Sequence, residues 1–418
     1  MAEYFDNGDY KLEVLKLVNY RGQEFDIRGI FSYLELYEDI LSTTLSARIG
    51  IEDAIDLYQN FPIIGKERLI LQYRTSTLSP SVRVELDVYD IPSRNEIKIR
   101  HQVYVLNFMS KEGIKNQCSV LKRSLKGNIA TGIKNVLQVE LDTTKGIVDD
   151  GIANESTYIP ARQRPFEAIQ TLLNRAVSGA SINHADFLLY ETVDGYNIKS
   201  LNKLVMDDAK FTYKFSRLNK PSDDAPNVDE FFVIGNYEIV QSSAPGSAIT
   251  NGMYGCTLGV YDPIRREYKE KTYDYLENKD DFNFLSDHLT IAQDDDRQKS
   301  AKDAVFKYVI KGTKDETLLA RNAKFEQLFN NIRIIVDVAG NSELRVGHII
   351  KLDVPSNTDI DIQQATKERF LKGKYLIASI KHSFHYGTGG YRSVMELVKD
   401  SIDYPIEDSA ELFDRISA

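Results

Sequence analysis

Apolar and polar side chains alternate along the stretch from Tyr33 to Tyr89. A first run has apolar residues at every second position, namely Leu45, Ala47, Ile49 and Ile51. A second run repeats the pattern with Val82, Val84, Leu86 and Val88. A period of two places successive side chains on opposite faces of a strand, so each run has one apolar face. We therefore predict an antiparallel sheet covered on one side, as in a barrel or sandwich, within residues 1–112.

A second alternating unit lies near the other end of the chain. Its first run consists of Ile332, Ile334, Val336 and Val338. Three further strand-like segments follow it: Val346–Leu352, Tyr375–His382 and Ser393–Asp400. Two β units of similar size at opposite ends of one chain suggest an internal duplication.

The region between these units has mixed helical and hairpin patterns. Pro165 opens an amphipathic helix, because Pro suits the first helical position and apolar residues then recur at helical spacing as far as Val177. Asp194-Gly195 predicts a tight turn between two short strands. A further helix, Thr317–Phe329, is predicted just before the second unit.

These patterns predict a β-rich α+β multidomain protein with two antiparallel β-barrel-like domains and smaller α+β domains. A chain of 418 residues is too long for one ordinary core. The expected domains are a first barrel (1–112), an α+β domain (113–205), a second barrel (206–240 and 316–402), an inserted α+β domain (241–315) and a C-terminal tail (403–418).

Charge and composition narrow the range of possible functions. A net charge of −10 without any block of basic residues argues against a general nucleic-acid binder. No apolar run approaches the roughly 18 residues of a membrane span, which predicts no membrane insertion. The N-terminal residues are acidic and lack the apolar segment of a signal peptide, so we expect synthesis and assembly in a cytoplasm.

Candidate chemical groups are few. His382 and His385 could form a metal pair, but residues three apart on a strand face opposite sides and no third ligand is near. Asp294-Asp295-Asp296 lacks the Gly and distal Glu of a calcium loop, and we interpret it as an exposed loop. Gly387-Thr388-Gly389-Gly390 lies between two predicted strands, which favours a hairpin loop. Cys118 and Cys256 are interpreted as buried free thiols. We therefore predict no catalytic, cofactor-binding or metal-binding residues and no cofactor.

Three parts of the sequence resemble the T4-like phage baseplate hub proteins, which form the central ring of a contractile tail. The first part is Tyr33–Leu41 with Phe61–Glu67, similar to the first tube domain of that family. The second is Arg164–Ile169 with Phe187–Tyr196. The third is Gly373–His382, Tyr391 and Glu396–Ser401, similar to the last strands of the second tube domain. In this interpretation the two predicted barrels are the tube domains.

The resemblance implies a structural protein rather than an enzyme. Members of the family form homotrimers whose six tube domains make a ring of pseudo-sixfold symmetry. One face of the ring meets the trimeric spike and the other meets the hexameric tail tube or its initiator. Tape-measure and baseplate-wedge proteins are further expected partners. DNA passes through the channel without specific binding, and the negative net charge suggests an acidic channel wall.

The expected location is the tail baseplate of the virion. The composition leaves a tail-associated peptidoglycan hydrolase, or another enzyme, as the alternative, because 62 Asp and Glu residues offer many carboxylate pairs.

Overall fold

The computed structural model describes residues 9–75, 80–98, 101–179, 184–215, 232–275, 277–290, 305–310, 315–354, 370–387 and 390–403. The N-terminal part contains a one-turn helix, α1 (Leu57–Asn60), and seven strands. The strands are β1 (Lys11–Val18), β2 (Glu24–Asp26), β3 (Phe31–Asp39), β4 (Ser46–Asp53), β5 (Arg68–Arg74), β6 (Val82–Lys98) and β7 (His101–Met109).

These seven strands form an antiparallel, barrel-like sheet in the order β2-β1-β5-β6-β7-β4-β3. The alternating runs seen in the sequence lie on β4 and β6, and their apolar positions are buried. Among the residues that the structure describes, β1 and β3 do not pair with each other. The first barrel therefore has a gap between these two strands.

A smaller α+β part follows. Its helices are α2 (Lys111–Cys118), α3 (Ile129–Asn135), which runs into a π-helical turn (Val136–Glu140), and α4 (Pro165–Leu173). Its strands are β8 (Leu125–Asn128), β9 (Ile147–Asp149), β10 (Glu155–Tyr158), β11 (Phe187–Thr192) and β12 (Gly195–Ser200). The helix predicted at Pro165 is present but ends at Leu173, four residues earlier than its apolar spacing suggested.

The second barrel is built from strands that are distant in sequence. After the short helix α5 (Leu201–Leu204), its first two strands are β13 (Ala209–Phe215) and β14 (Val233–Gln241). The inserted part then contributes α6 (Pro245–Thr250), β15 (Gly255–Asp262), β16 (Glu267–Asp274), a 3₁₀ turn (Lys279–Asp281), β17 (His288–Leu289) and β18 (Phe306–Ile310). Helix α7 (Asp315–Phe329) returns the chain to the barrel through β19 (Ile332–Ala339), β20 (Ile349–Asp353), β21 (Gly373–His385), β22 (Tyr391–Lys399) and β23 (Ser401–Ile402).

Six of these strands close into a barrel in the order β21-β20-β13-β14-β19-β22, with β22 pairing back to β21. Four of the six pairings are antiparallel, as predicted, but β13 is parallel to both β14 and β20. Residue alternation reports only which face a side chain occupies and not the direction of the neighbouring strand, so the sequence could not show this difference.

The two barrels share one strand order. If the six main strands of each barrel are ranked along the chain, leaving out the short β2, both follow the order first-fourth-fifth-sixth-third-second. The second, third and sixth strands also have equal lengths in the two barrels, nine, eight and nine residues. This agreement supports the duplication suggested by the sequence pattern.

Buried apolar side chains form four clusters, one in each barrel, one in the α+β part and one in the inserted part. Helix α7 packs against two of them, because Leu319 and Ala323 join the inserted cluster while Leu328 joins the second barrel. No helix within the described ranges is long and apolar enough to cross a membrane.

Candidate functional site at the junction of the two barrels

Strand β21 belongs to both barrels. Its first residues, Gly373–Leu376, pair with β20 of the second barrel. After an irregularity in the ladder between Ile377 and Ser379, the same edge pairs with β3 of the first barrel as far as His385. The other edge of β21 pairs with β22 of the second barrel. Backbone hydrogen bonds through β21 therefore join the two barrels into one continuous sheet.

The far end of the β21–β22 hairpin lies in the core of the first barrel. Phe384 and Tyr391 are fully buried there, with their rings stacked 4.4 Å apart. Tyr73 of β5 packs edge-on against Phe384 at 4.8 Å, and the Tyr10 hydroxyl donates to the His385 carbonyl at 3.1 Å. The second barrel thus supplies aromatic side chains beside the gap between β1 and β3.

Glu38 joins three parts of the chain at one buried point. Its side chain lies on β3 and is 1% exposed. One carboxylate oxygen accepts from the Val193 N–H of the β11–β12 turn, and the other accepts from the Val346 N–H just before β20, both at 3.2 Å. Burial raises the pKa of Glu38 to about 7, against the opposing effect of Arg345.

Arg345 reinforces the same contact between the α+β part and the second barrel. Its Nε donates to Asp194 Oδ2 at 2.9 Å, and its Nη1 donates to the Ser342 and Leu344 carbonyls at 2.6 and 2.7 Å. Ser342 in turn shares a 2.8 Å hydroxyl hydrogen bond with Thr75 of the first barrel. The guanidinium is nine-tenths buried, so these partners replace most of its hydration.

A buried ion cluster attaches the α+β part to the first barrel. Lys145 forms ion pairs with Glu112 and Glu191, whose side chains are both completely buried. The second oxygen of Glu191 accepts from the Leu45 N–H at 2.9 Å, and Thr143 donates to Glu112 at 2.7 Å. Together with Glu38 and Arg345, this cluster fixes the α+β part against both barrels.

A cleft of about 410 Å³ beside this cluster tests the enzyme alternative. Its carboxylates are all ion-paired: Glu85 with Arg83, Asp87 with Arg68, Glu191 with Lys145 and Asp194 with Arg345. A general acid or base must reach the proton that it transfers. This geometry therefore gives no support to a particular catalytic carboxylate.

The candidate metal groups lie apart. His382 is fully buried, its Nδ1 forms a 2.7 Å hydrogen bond with the Tyr391 hydroxyl, and burial lowers its pKa to about 3. His385 is exposed and its ring contacts the Ser383 hydroxyl. The described ranges contain no group of three or more His, Cys, Asp or Glu side chains arranged to hold a metal ion. Asp294-Asp295-Asp296 lies outside these ranges.

The glycine-rich segment lies in a hairpin connection, and one of the two cysteines is buried. Gly387 begins the connection between β21 and β22 with φ of +86°, which confirms the hairpin interpretation, although Thr388 and Gly389 lie outside the described residues. Cys256 is buried, as predicted, and burial raises the pKa of its thiol. The same prediction was wrong for Cys118, which is exposed together with Gln117 in the last turn of α2.

The junction residues were missed in the sequence, although one of them left a signal. Leu34, Leu36 and Ile40 mark the buried face of β3 and its end, and Glu38 stands in the same register. An acidic residue at an apolar position of an alternating strand indicates a buried partner. Arg345 lies in a loop without periodicity and gave no comparable signal.

Replacing Glu38 with glutamine is expected to remove a pH-dependent part of the stability. The folded-state pKa is raised above the ordinary value of 4.5, so the contribution of Glu38 is complete below about pH 4.5 and is lost as the pH rises through about 7. Relative to the variant, the native protein should therefore lose about 2–3 kcal/mol of unfolding free energy between pH 4.5 and 8. Urea titrations of both proteins at these two pH values measure the difference. Equal pH dependence in both would contradict the assignment.

Comparison with known proteins shows similarity in structure and not in sequence. No protein-family model matches the chain, and no curated protein matches its sequence. A tail protein from Neisseria meningitidis MC58 superimposes with a TM-score of 0.56 and 11% identity, covering 94% of this chain and 97% of its own. The 43 kDa tail protein of prophage MuSo2 from Shewanella oneidensis superimposes with a TM-score of 0.57 and 9% identity, covering 93% and 99%. The chain has the fold of these tail proteins along nearly its whole length, which confirms the predicted β-rich, tail-protein fold.

Proposed function

We propose that this chain is the structural hub of a contractile phage tail baseplate. Three copies form a ring of pseudo-sixfold symmetry that joins a trimeric spike to the hexameric tail tube and leaves a channel for the genome. The observation that carries the proposal is the pair of barrels with one strand order, joined through β21 in a single chain. Three such chains offer six similar barrels, which is what a threefold object needs to match a sixfold one.

The junction makes the chain rigid, and the proposed role requires a rigid chain. The continuous sheet, the Phe384 and Tyr391 rings and the Glu38 carboxylate hold the two barrels in one fixed relation. A ring closes only if each subunit presents its contacts at a constant angle. In this proposal the first barrel spans residues 1–112 and the α+β domain spans 113–205. The second barrel consists of 206–240 and 316–402, the inserted domain spans 241–315, and the tail spans 403–418.

The proposed partners follow from the ring. The spike protein occupies one face and the tail tube or its initiator occupies the other, with tape-measure and baseplate-wedge proteins as further contacts. DNA passes through the bore without specific binding, past an acidic wall. The assembly takes place in the host cytoplasm without membrane insertion, and the finished protein resides in the virion tail. No cofactor or metal is part of this role.

Light scattering of the purified protein, with electron microscopy of the same fractions, tests the proposal. We expect a mass three times the 47.6 kDa of one chain and ring-shaped particles with a central hole. If the protein alone is a monomer, co-expression with its spike protein should yield the ring. A monomer under both conditions, or a stable dimer without a bore, would contradict the hub and favour the tail-associated hydrolase alternative.

A further inference from the structure

In each barrel, the fifth strand along the chain is much longer than the fourth strand beside it. In the second barrel, β21 passes the end of β20 and pairs its far half with β3 of the first barrel. In the first barrel, β6 pairs with β5 only as far as Asp87 and continues to Lys98. Both fifth strands also have an irregular ladder to the sixth strand just where they leave the fourth. The two fifth strands are therefore built alike, but only one of them has a partner for its far half.

The far half of β6 is an open strand edge. Within the described parts of the chain, Asp90–Lys98 pairs with β7 alone, and most of these side chains are exposed, including Ile97 at 61%. Pro92, which lacks an N–H, falls inside the irregular section between Asp90 and Ser93. It removes no hydrogen bond from the regular segment that follows. A long open edge is a site for pairing with another strand.

The second barrel has the matching open edge. Strand β14 holds the same rank in its barrel as β3 holds in the first, because each is the second of six strands. Whereas β3 is paired along its outer edge with β21, the described outer edge of β14 is paired only at Val233 and Ile234. Ile239 and Val240 on the remaining length are 44% and 46% exposed.

We propose that the far half of β6 pairs with the free edge of β14 in a second copy of this chain. The contact repeats, between copies, the β21–β3 contact that exists within one chain, and it is antiparallel for the same reason. The occupant is another copy because only this chain is shown to carry both halves of the contact. The inference rests on the proposed ring, and it names the strands that hold neighbouring subunits together.

The ladders fix the register on β6. His382 of β21 pairs with Ser393, six positions before Lys399 at the end of β22. Asn95 of β6 likewise pairs with Val103, six positions before Met109 at the end of β7. Asn95 therefore takes the place of His382, and Glu96 takes the place of Ser383, the next residue.

The same counting fixes the register on β14. Glu35 of β3 pairs with Arg48, the third residue of β4. Ile239 of β14 pairs with Ile334, the third residue of β19. Because Ser383 faces Glu35 within the chain, Glu96 is placed opposite Ile239 of the neighbouring copy.

Disulfide trapping tests this pairing in the full-length protein. Glu96→Cys and Ile239→Cys are introduced together in a Cys118→Ser background, since Cys118 is the exposed native thiol. Opposite residues on paired strands lie within disulfide range, so mild oxidation should convert the monomer band into covalent multimers that a reductant reverses. The control combines Glu96→Cys with Glu267→Cys. Glu267 lies on the exposed strand β16 of the inserted part, away from the proposed contact. It should remain monomeric on the same gel.

The outcomes separate the inference from the proposed function. Light scattering is run on every variant before oxidation. The ladder shift on β14 between Ile239 and Gln241 makes Asn95 and Gln241 the pair equivalent to His382 and Leu36. A threefold mass without cross-linking, at Glu96→Cys with Ile239→Cys and at Asn95→Cys with Gln241→Cys, would overturn the strand pairing and leave the ring intact. A monomeric mass and no cross-linking, with and without the co-expressed spike protein, would overturn both. Cross-linking of the control to the same extent would also overturn the pairing, because it would show non-specific collision.

Discussion

Replacing Lys324 with methionine is expected to lower the free energy of unfolding by about 3–5 kcal/mol. Lys324 of α7 and Asp400, just after β22, form a 2.9 Å ion pair in which both side chains are completely buried. Methionine fills a similar space without the charge, so the Asp400 carboxylate remains buried without its counter-ion. Removing one partner of a buried pair costs far more than the pair itself contributes, because the remaining charge keeps its desolvation penalty.

Urea-induced unfolding monitored by tyrosine fluorescence measures this loss, since the chain has 24 Tyr and no Trp. Lys203→Met is the matched control, because Lys203 forms a 3.0 Å pair with Asp150 but is 60% exposed. That change should cost no more than about 1 kcal/mol. The double variant Lys324→Met with Asp400→Leu should recover only part of the loss, because it removes the uncompensated charge but leaves the buried Leu285 N–H without its acceptor. Equal losses of unfolding free energy in Lys324→Met and Lys203→Met would show that the buried pair contributes no more to stability than the exposed one.

The position of this pair explains its expected influence. The Lys324 ammonium also donates to the Asn283 carbonyl at 2.6 Å, and Asp400 accepts from the Leu285 N–H at 3.1 Å. Helix α7, the inserted part and the end of β22 therefore meet at one polar point. Losing it should loosen the inserted part from the second barrel before either unfolds.

The strands were predictable wherever one face is buried and the other is wet. All four apolar positions of β19, from Ile332 to Val338, are no more than 1% exposed, as their alternation indicated. The same pattern predicted the buried face of β6, from Val82 to Val88. It could not reveal the parallel pairings of β13, because direction depends on the path of the chain between strands and not on residue alternation.

The junction was less accessible from sequence, because its contacts join residues that are far apart in the chain. Glu38 and Val346 are separated by 308 positions, and Arg345 and Asp194 by 151. A single sequence shows which residue types recur locally and gives no distance between such positions. Glu38 alone departed visibly from its local pattern, and this departure marked the point at which the first barrel, the α+β part and the second barrel meet.

Replacing Phe384 with alanine is expected to destabilise the first barrel by about 3–5 kcal/mol, although Phe384 belongs to a strand of the second. The ring is fully buried in the core of the first barrel, stacked on Tyr391 and packed edge-on against Tyr73. Truncation loses the free energy gained by burying the ring and leaves a cavity beside the gap between β1 and β3. The described parts of these two strands do not pair with each other, so no hydrogen bonds between them offset the loss.

Amide hydrogen exchange followed by mass spectrometry separates the two barrels in this experiment. Peptides from β1 and β3 should exchange faster in Phe384→Ala, and Phe306→Ala is the control, because Phe306 on β18 is 53% exposed and its loss should matter little. Faster exchange confined to β19 and β22 would contradict the role assigned to the hairpin. Because a ring needs both barrels held at a constant angle, Phe384→Ala should also reduce the fraction of ring-shaped particles, and this joint loss would connect the junction to assembly.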